Sequence, residues 1–118
     1  KRIINLKTKK MENFLMFIDD ADDAACFPAS QLLGMTCAGD GALILSFVNT
    51  LGPNASEDKR SIVTLTITAD TEKAVMSEIA RAINATASYN DGLIVVCDDV
   101  NSKFLHANIL SCAISLDA

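Results

Sequence analysis

The sequence predicts an α+β domain of mainly antiparallel β-sheet, sandwich- or barrel-like, with about six or seven strands and one amphipathic helix near residues 71–85. Three observations predict this class. Short apolar and β-branched runs recur along the chain, Asp- and Gly-rich turns separate them, and one stretch repeats apolar residues at helical spacing. The 118 residues fit a single β-rich domain at 11–118, preceded by a basic N-terminal arm or edge strand at 1–10.

The N-terminal part of the chain begins with two strand signals. Residues 3–6 form a short apolar run, and residues 13–18 are apolar on both faces, which is typical of a central or doubly covered strand. Four Asp among residues 19–23 then predict a loop, because Asp favours turns over strands.

A hairpin is predicted in the middle of the chain. Residues 31–37 read as a strand in which Gly34 marks a bulge or a close approach, and the Gly- and Asp-rich residues 38–41 predict a tight turn. The return strand covers 42–49, and the turn-rich residues 51–59 are expected to form an exposed connection.

Residues 61–68 alternate between apolar and Thr-rich positions, which predicts a half-buried strand with a Thr-rich outer face. The helix follows, capped by Asp70 or Thr71. Its apolar stripe combines Val75, Ile79, Ala82 and Ile83.

The C-terminal part returns to strands. Residues 93–97 are an apolar run of the buried type, residues 98–102 a turn, and residues 104–116 a last strand with a bulge near Asn108. Short connections between consecutive strands favour antiparallel pairing.

The net charge of −5 argues against nucleic acid as a partner, because phosphate binding rests on Lys and Arg. No run is long and apolar enough to suggest a membrane partner. No secretory signal is evident, so we expect synthesis in a reducing cytoplasm. The cysteines are then expected to be free thiols, with a disulfide pair as the alternative. They are Cys26, Cys37, Cys97 and Cys112.

No spacing in the sequence is typical of a catalytic, cofactor or strong metal site, so we expect no enzyme and no cofactor. The acidic turn lacks the ligand order of an EF-hand, which leaves only weak Ca²⁺ candidates. These are Asp19, Asp20, Asp22 and Asp23. If Asp19 lies close to Asp98 of the second acidic turn, residues 98–102, a weak cation site at a subunit junction is expected. His106 alternates with apolar residues, which predicts a sheet-face position rather than a general base.

The surplus of apolar residues predicts an interface. Residues 13–18, residues 93–97 and one helix face all need cover, and one sheet with one helix supplies only part of it. We therefore expect a homo-oligomer, with a closed monomeric sandwich as the alternative. The interface candidates come from the basic arm and from apolar or Thr-rich strand faces. They are Arg2, Ile4, Leu6, Phe14, Met16, Thr64 and Thr66.

Several runs resemble small proteins of marine tailed phages, cyanophages especially. They are the stretch 13–23, Phe27-Pro28-Ala29-Ser30, Leu33-Gly34-Met35, the stretch 63–68, Val75-Met76 and Ile79-Ala80. The likeness covers most of residues 11–117, and its motifs are structural rather than catalytic. It implies a virion-associated protein, assembled in the host cytoplasm, with a capsid or other virion protein as partner and no active site.

The leading hypothesis is thus a non-enzymatic, self-assembling structural protein, a phage virion component of the capsid decoration or cement type. The alternative is a small protein- or ligand-binding module of phage or host cell, acting through residues 51–60 and the Asp turns. An enzyme is the third reading, and it requires His106 beside an Asp in a cleft.

Overall fold

The computed structural model describes four stretches of the chain: residues 13–37, 39–48, 60–84 and 92–116. Across these stretches, eight strands form two four-stranded sheets, accompanied by one α-helix. The α+β, mainly antiparallel prediction is confirmed, in the form of a sandwich rather than a closed barrel. The predicted strand at 3–6, the arm at 1–10 and the connection at 51–59 lie outside the described residues.

The first sheet contains β1 Phe14–Asp20, β2 Asp23–Pro28, β6 Leu93–Asp98 and β7 Lys103–Phe104, in the order β2-β1-β6-β7. The two apolar runs of the sequence, β1 and β6, occupy its centre, as a central-strand pattern predicts. They pair in parallel, whereas β2 and β7 pair antiparallel with their neighbours.

The second sheet contains β3 Leu32–Cys37, β4 Ala42–Val48, β5 Arg60–Ile67 and β8 Ile109–Ser115, in the order β3-β4-β5-β8. All its pairs are antiparallel. The hairpin between β3 and β4 is confirmed, with Gly39 and Gly41 at positive φ. The register shifts between Leu32 and Gly34, so the predicted irregularity at Gly34 is present.

The helix α1, Glu72–Asn84, carries the chain from the second sheet to the first. Its residues Val75 and Ile79 are fully buried in the common core, as the apolar stripe predicts. Thr71 precedes it, and its carbonyl accepts the Val75 N–H at 3.0 Å. The Thr71 hydroxyl donates to the Thr68 carbonyl at 2.6 Å. Within the described stretches, no helix has the length and hydropathy that crossing a bilayer requires.

Three phenylalanine rings join the sheets inside the core. Phe17 and Phe27 come from the first sheet and Phe47 from the second, and all three are fully buried. The Phe27 and Phe47 rings stack with centroids 4.1 Å apart, and Phe17 meets both edge-on at 6.1 and 6.0 Å. Such geometries suit the aromatic quadrupole, so the cluster stabilises the contact between the sheets.

The loop predicted over residues 19–23 is present only as a short turn, and the strand that follows it was not predicted. β1 continues to Asp20, a two-residue turn follows, and β2 begins at Asp23. β2 is an edge strand, where Asp and Ala are tolerated because one side of the strand remains open to water. Its Pro28 is the last residue, a position at which the missing N–H disrupts the ladder least.

The prediction of one last strand over 104–116 was wrong. β7 ends at Phe104, residues 105–108 cross to the other sheet, and β8 begins at Ile109. Asn108 itself lies in a turn between strands, and the predicted irregularity is present just after it, where the register of β8 against β5 shifts between Ile109 and Ser111. The parallel pairing of β1 with β6 was likewise not predicted. Strands that follow each other in the chain usually pair antiparallel, whereas β1 and β6 are separated in sequence by four strands and the helix.

Candidate functional site

The outer face of the first sheet is apolar and partly open to solvent. The registers of its strands bring eight side chains together on this surface, which we call the outer apolar face. They are Phe14, Met16, Ile18, Ala24, Cys26, Pro28, Leu93 and Val95. None of the eight is buried, and none carries a charge. Phe14 and Leu93 are the most exposed of its large side chains, at 39% and 42%.

Strand alternation explains how one apolar run supplies both the core and this surface. In β1, Leu15 and Phe17 are fully buried, while Phe14, Met16 and Ile18 point to the opposite side. Sequence reasoning expected cover on both sides of β1. In the described part of the chain, only the inner side is fully buried.

The outer face of the second sheet has a different chemistry. Thr64 is half-buried and Thr66 exposed there, and the register places Thr64 beside Ile44 and Thr66 beside Ala42 and Ser111. The described interface candidates thus fall on two separate surfaces, with Phe14 and Met16 on the outer apolar face. The remaining interface candidates lie outside the described residues: Arg2, Ile4 and Leu6.

A second cluster forms where the two sheets meet. Cys97 of β6 and Cys112 of β8 are buried, and Asp99, directly after β6, lies between them. The Cys97 Sγ donates to Asp99 Oδ1 at 3.7 Å, and the Cys112 N–H donates to Asp99 Oδ2 at 3.3 Å. The Asp99 N–H donates to the Ile18 carbonyl at 2.9 Å, which ties this turn to β1.

Burial controls the ionisation of this cluster. It raises the pKa of the Cys97 thiol well above its usual range, with further contributions from the Cys112 thiol and the Asp99 charge. The pKa of Cys112 is also raised, mainly by burial and then by the charges of Asp99, Asp19 and Asp23. Both thiols are therefore protonated at neutral pH, as buried cysteines without a cationic neighbour are.

The weak Ca²⁺ candidates separate into two groups. Asp19 lies near Asp23 and Asp99, and burial followed by the Asp23 charge raises its pKa. Asp20 is exposed and accepts the Ala21 N–H at 2.6 Å, and Asp22 is exposed.

The second acidic turn contributes Asp99 to the neighbourhood of Asp19, whereas Asp98 has other partners. Asp98 accepts the N–H groups of Val100 and Asn101, each at 3.1 Å, and the Asn101 side-chain amide at 3.1 Å. The Asn101 bonds, above all, lower the pKa of Asp98. Sequence reasoning missed the proximity of Asp99 to the two cysteines, because no local pattern shows that strands from different sheets bring Cys97 and Cys112 together.

A third group of acidic side chains joins the β3–β4 hairpin to the start of α1. Asp40, Asp70 and Glu72 lie close together, and backbone N–H groups bond to one oxygen of Glu72 and one oxygen of Asp40. Glu72 Oε2 accepts the Gly41 N–H at 2.9 Å, and Asp40 Oδ1 accepts the Asp70 N–H at 3.0 Å. The bond from Gly41 lowers the pKa of Glu72. These hydrogen bonds connect the β3–β4 hairpin to the start of α1, so this acidic group has a structural role.

His106 does not lie on a sheet face, contrary to the prediction from sequence. It lies in the crossing between β7 and β8, where its Nδ1 accepts the Asn108 N–H at 3.0 Å and its carbonyl accepts the Ile109 N–H at 3.0 Å. The His106 side chain therefore stabilises this turn by accepting a backbone hydrogen bond within it.

A shallow groove of about 510 Å³ runs along β3. Its lining residues are Leu33, Gly34, Met35, Thr36, Ser46 and Arg60. The lining combines apolar and hydroxyl side chains with one guanidinium at the rim, a mixture that suits a small ligand or a peptide strand.

Comparison with known proteins finds no matching family model, no matching curated protein and no matching solved structure.

Proposed function

We propose that this chain is a non-enzymatic structural protein that self-associates through the outer apolar face. The observation that carries the proposal is an uncharged surface of eight side chains on a protein of net charge −5. An exposed apolar patch of this kind is a common mark of protein–protein contact.

A second copy of the chain is the occupant that the charges favour. Two copies, each at −5, repel one another wherever their acidic turns approach. The eight side chains of the outer apolar face carry no charge. The acidic groups of the same sheet, Asp98 beside Ile18 and the Asp20–Asp23 pair, lie at one end of it, so two copies can meet over the rest of the face without opposing like charges. Two such sheet faces stack about 10 Å apart, as in ordinary sheet-on-sheet packing.

The exposed apolar area of this face determines how strongly two copies are expected to associate. Phe14 is 39% exposed, which for a side chain of ~200 Å² leaves roughly 80 Å² to bury, about 2 kcal/mol. Leu93 is exposed to a similar fraction, so both residues in both copies contribute roughly 8 kcal/mol. Association itself costs roughly 4–15 kcal/mol. The rest of the face is therefore needed for a stable contact.

The finer proposal is a phage virion component of the capsid decoration or cement type, which places the protein in the virion and makes a capsid protein its second partner. The resemblance of the sequence, over most of residues 11–117, to small proteins of marine tailed phages is what supports it. It predicts that the protein co-sediments with intact particles and is released when the particles are dismantled.

Light scattering over a range of protein concentrations tests the self-association. Wild type should form a discrete oligomer or larger assembly, and Leu93→Ser should raise the dissociation constant by roughly 1,000-fold, since about 2 kcal/mol is lost from each copy. Leu110→Ser is the matched control, because Leu110 is 53% exposed but lies on β8 of the other sheet. A monomer at every concentration, or equal effects of the two variants, would contradict the proposal.

The groove along β3 favours a second candidate function, a ligand- or peptide-binding module. It adjoins Arg60, where the sequence placed a binding loop at 51–60. In that case the protein is monomeric, and a bound peptide or small molecule raises its melting temperature. Arg60→Ala should abolish that rise when the melting temperatures of the variant with and without the bound molecule are compared.

A further inference from the structure

Three metal-ligating side chains converge at the junction of the two sheets. The Sγ atoms of Cys97 and Cys112 and a carboxylate oxygen of Asp99 all lie within 4.8 Å of one another. They come from β6, from the turn after it and from β8, so two sheets and one turn fix their positions.

We propose that Cys97, Asp99 and Cys112 bind one thiophilic divalent cation of the zinc type. Zinc takes thiolate sulfur at ~2.3 Å and carboxylate oxygen at ~2.0–2.2 Å in tetrahedral geometry. That geometry places two sulfur ligands about 3.8 Å apart. The present separations, at most 4.8 Å, require side-chain movements of about 1 Å or less.

The donor set excludes the hard cations. Ca²⁺ takes six to eight oxygen ligands and Mg²⁺ an octahedral set of oxygens, whereas two of the three donors here are sulfur. Soft thiolate ligands favour zinc and its close chemical relatives. The cation first considered for the acidic turn, Ca²⁺, is therefore the wrong one for this cluster.

The geometry brings three ligands together and leaves the fourth position of the tetrahedron to a further group. Asp19 and Asp23 lie close enough to Cys112 to act on it electrostatically, and Asp19 also interacts with Asp99. Their oxygens are not among the atoms that lie within 4.8 Å of one another, so a water molecule is the fourth ligand that the proposal requires. The divalent charge would offset the acidic groups that gather at this end of the sandwich.

Such a cation would act as a bridge between the sheets. Cys97 belongs to the first sheet and Cys112 to the second. A metal that displaces both thiol protons into solvent and binds the two thiolates therefore opposes the separation of the sheets. Because the unfolded chain does not present the three ligands together, binding stabilises the folded state and raises the melting temperature with metal concentration.

Titration of the reduced protein with Co²⁺, a spectroscopic substitute for zinc, tests the proposal. The variant C26S/C37S serves as the background, since it removes the exposed Cys37 and the half-buried Cys26 but keeps the proposed ligands. We expect one Co²⁺ per chain, with sulfur-to-cobalt charge-transfer absorption in the near ultraviolet, displaced by one equivalent of Zn²⁺.

Ligand variants in the same background localise the site. Cys112→Ser should reduce the charge-transfer absorption by about half and weaken binding at least 100-fold. Asp99→Asn should weaken binding at least 10-fold while keeping both sulfur ligands. Asp40→Asn is the control, because Asp40 belongs to the separate acidic group at the hairpin. It should change neither the charge-transfer absorption nor the affinity for Co²⁺. Circular dichroism establishes that each variant is folded.

Three results would overturn the proposal. They are absorption without a charge-transfer band, binding unchanged in Cys112→Ser, and loss of all binding in the C26S/C37S background while wild type still binds. The last would assign the metal to Cys26 and Cys37. If Cys112→Ser does not fold, Asp99→Asn and the metal-dependent melting temperature of the background variant decide the matter.

Discussion

Replacing Phe47 with leucine should lower the free energy of unfolding by about 1–3 kcal/mol, because the ring makes two aromatic contacts worth about 0.5–1.5 kcal/mol each beyond their burial. Phe47 is fully buried, stacks on Phe27 at 4.1 Å and meets Phe17 edge-on at 6.0 Å. Leucine keeps most of the apolar volume and removes both ring contacts. Phe47→Ala also leaves a cavity and should cost about 3–5 kcal/mol.

Urea denaturation followed by circular dichroism measures these costs as shifts of the midpoint at constant slope. Phe14→Leu is the matched control, since the same substitution at a 39% exposed ring removes no described aromatic contact. It should change the free energy of unfolding by less than about 0.5 kcal/mol. The protein concentration is chosen so that light scattering gives one molecular mass for all variants.

A double-mutant cycle isolates the contact between the sheets. Phe27→Leu, Phe47→Leu and the double variant should give a coupling free energy of about 0.5–1.5 kcal/mol. Additive single effects, or a cost for Phe47→Leu no larger than that for Phe14→Leu, would refute the argument that ring stacking joins the sheets. A changed slope would instead mean that the folded or unfolded state itself has changed its exposed surface.

Two further predictions concern the hairpin and the start of the helix. Glu72→Gln should lower the melting temperature at pH 7, because the Glu72 carboxylate accepts the Gly41 N–H and has a lowered pKa. Because folding lowers the pKa of Glu72, its ionised carboxylate stabilises the fold at pH values above 4.5, the ordinary glutamate pKa. This stabilisation is lost as the pH falls through the lower pKa of the folded state. The decrease in melting temperature caused by Glu72→Gln should therefore disappear in acid. Glu78→Gln is the control, because Glu78 forms an exposed pair with Arg81, and it should change the melting temperature little at any pH. Gly41→Ala should lower the free energy of unfolding, measured by thermal melting, by about 1–2 kcal/mol. Gly41 has φ +86°, and an added Cβ would lie 3.2 Å from the Ile67 carbonyl oxygen. An unchanged melting temperature would contradict this prediction.

The parts of the fold that sequence reasoning predicted correctly are those with local signals. The Gly-rich turn at 39–41 joins β3 and β4, the alternation over 61–68 marks β5, and the apolar stripe buries Val75 and Ile79 of α1. Each depends on residues a few positions apart, so the pattern and the structure follow the same periodicity.

The parts that sequence reasoning missed depend on which strand lies beside which. Asp23 begins a strand only because β2 pairs with β1 at the edge of a sheet, and the chain crosses between sheets at 105–108 because β7 pairs with β6 while β8 pairs with β5. The pairing partners are distant in sequence, so propensity alone could not identify them.

The same distinction separates the outer apolar face from the cluster of thiols. Phe14 and Met16 share a face because of the alternation within a single strand, which the sequence pattern shows. Cys97 and Cys112 belong to different sheets, and their proximity exists only once those sheets are packed.

The strand β1 connects the two proposals physically. Its outward residues Phe14, Met16 and Ile18 build the outer apolar face, and its inward residues Leu15 and Phe17 fill the core. At the end of the same strand, the Ile18 carbonyl holds the N–H of Asp99, whose carboxylate contacts both Cys97 and Cys112. A metal bound there would restrain the end of β1 while leaving the outer apolar face free. Metal binding near the end of β1 and self-association through its outer face therefore use different side chains, so each can be removed by a substitution that leaves the other site intact.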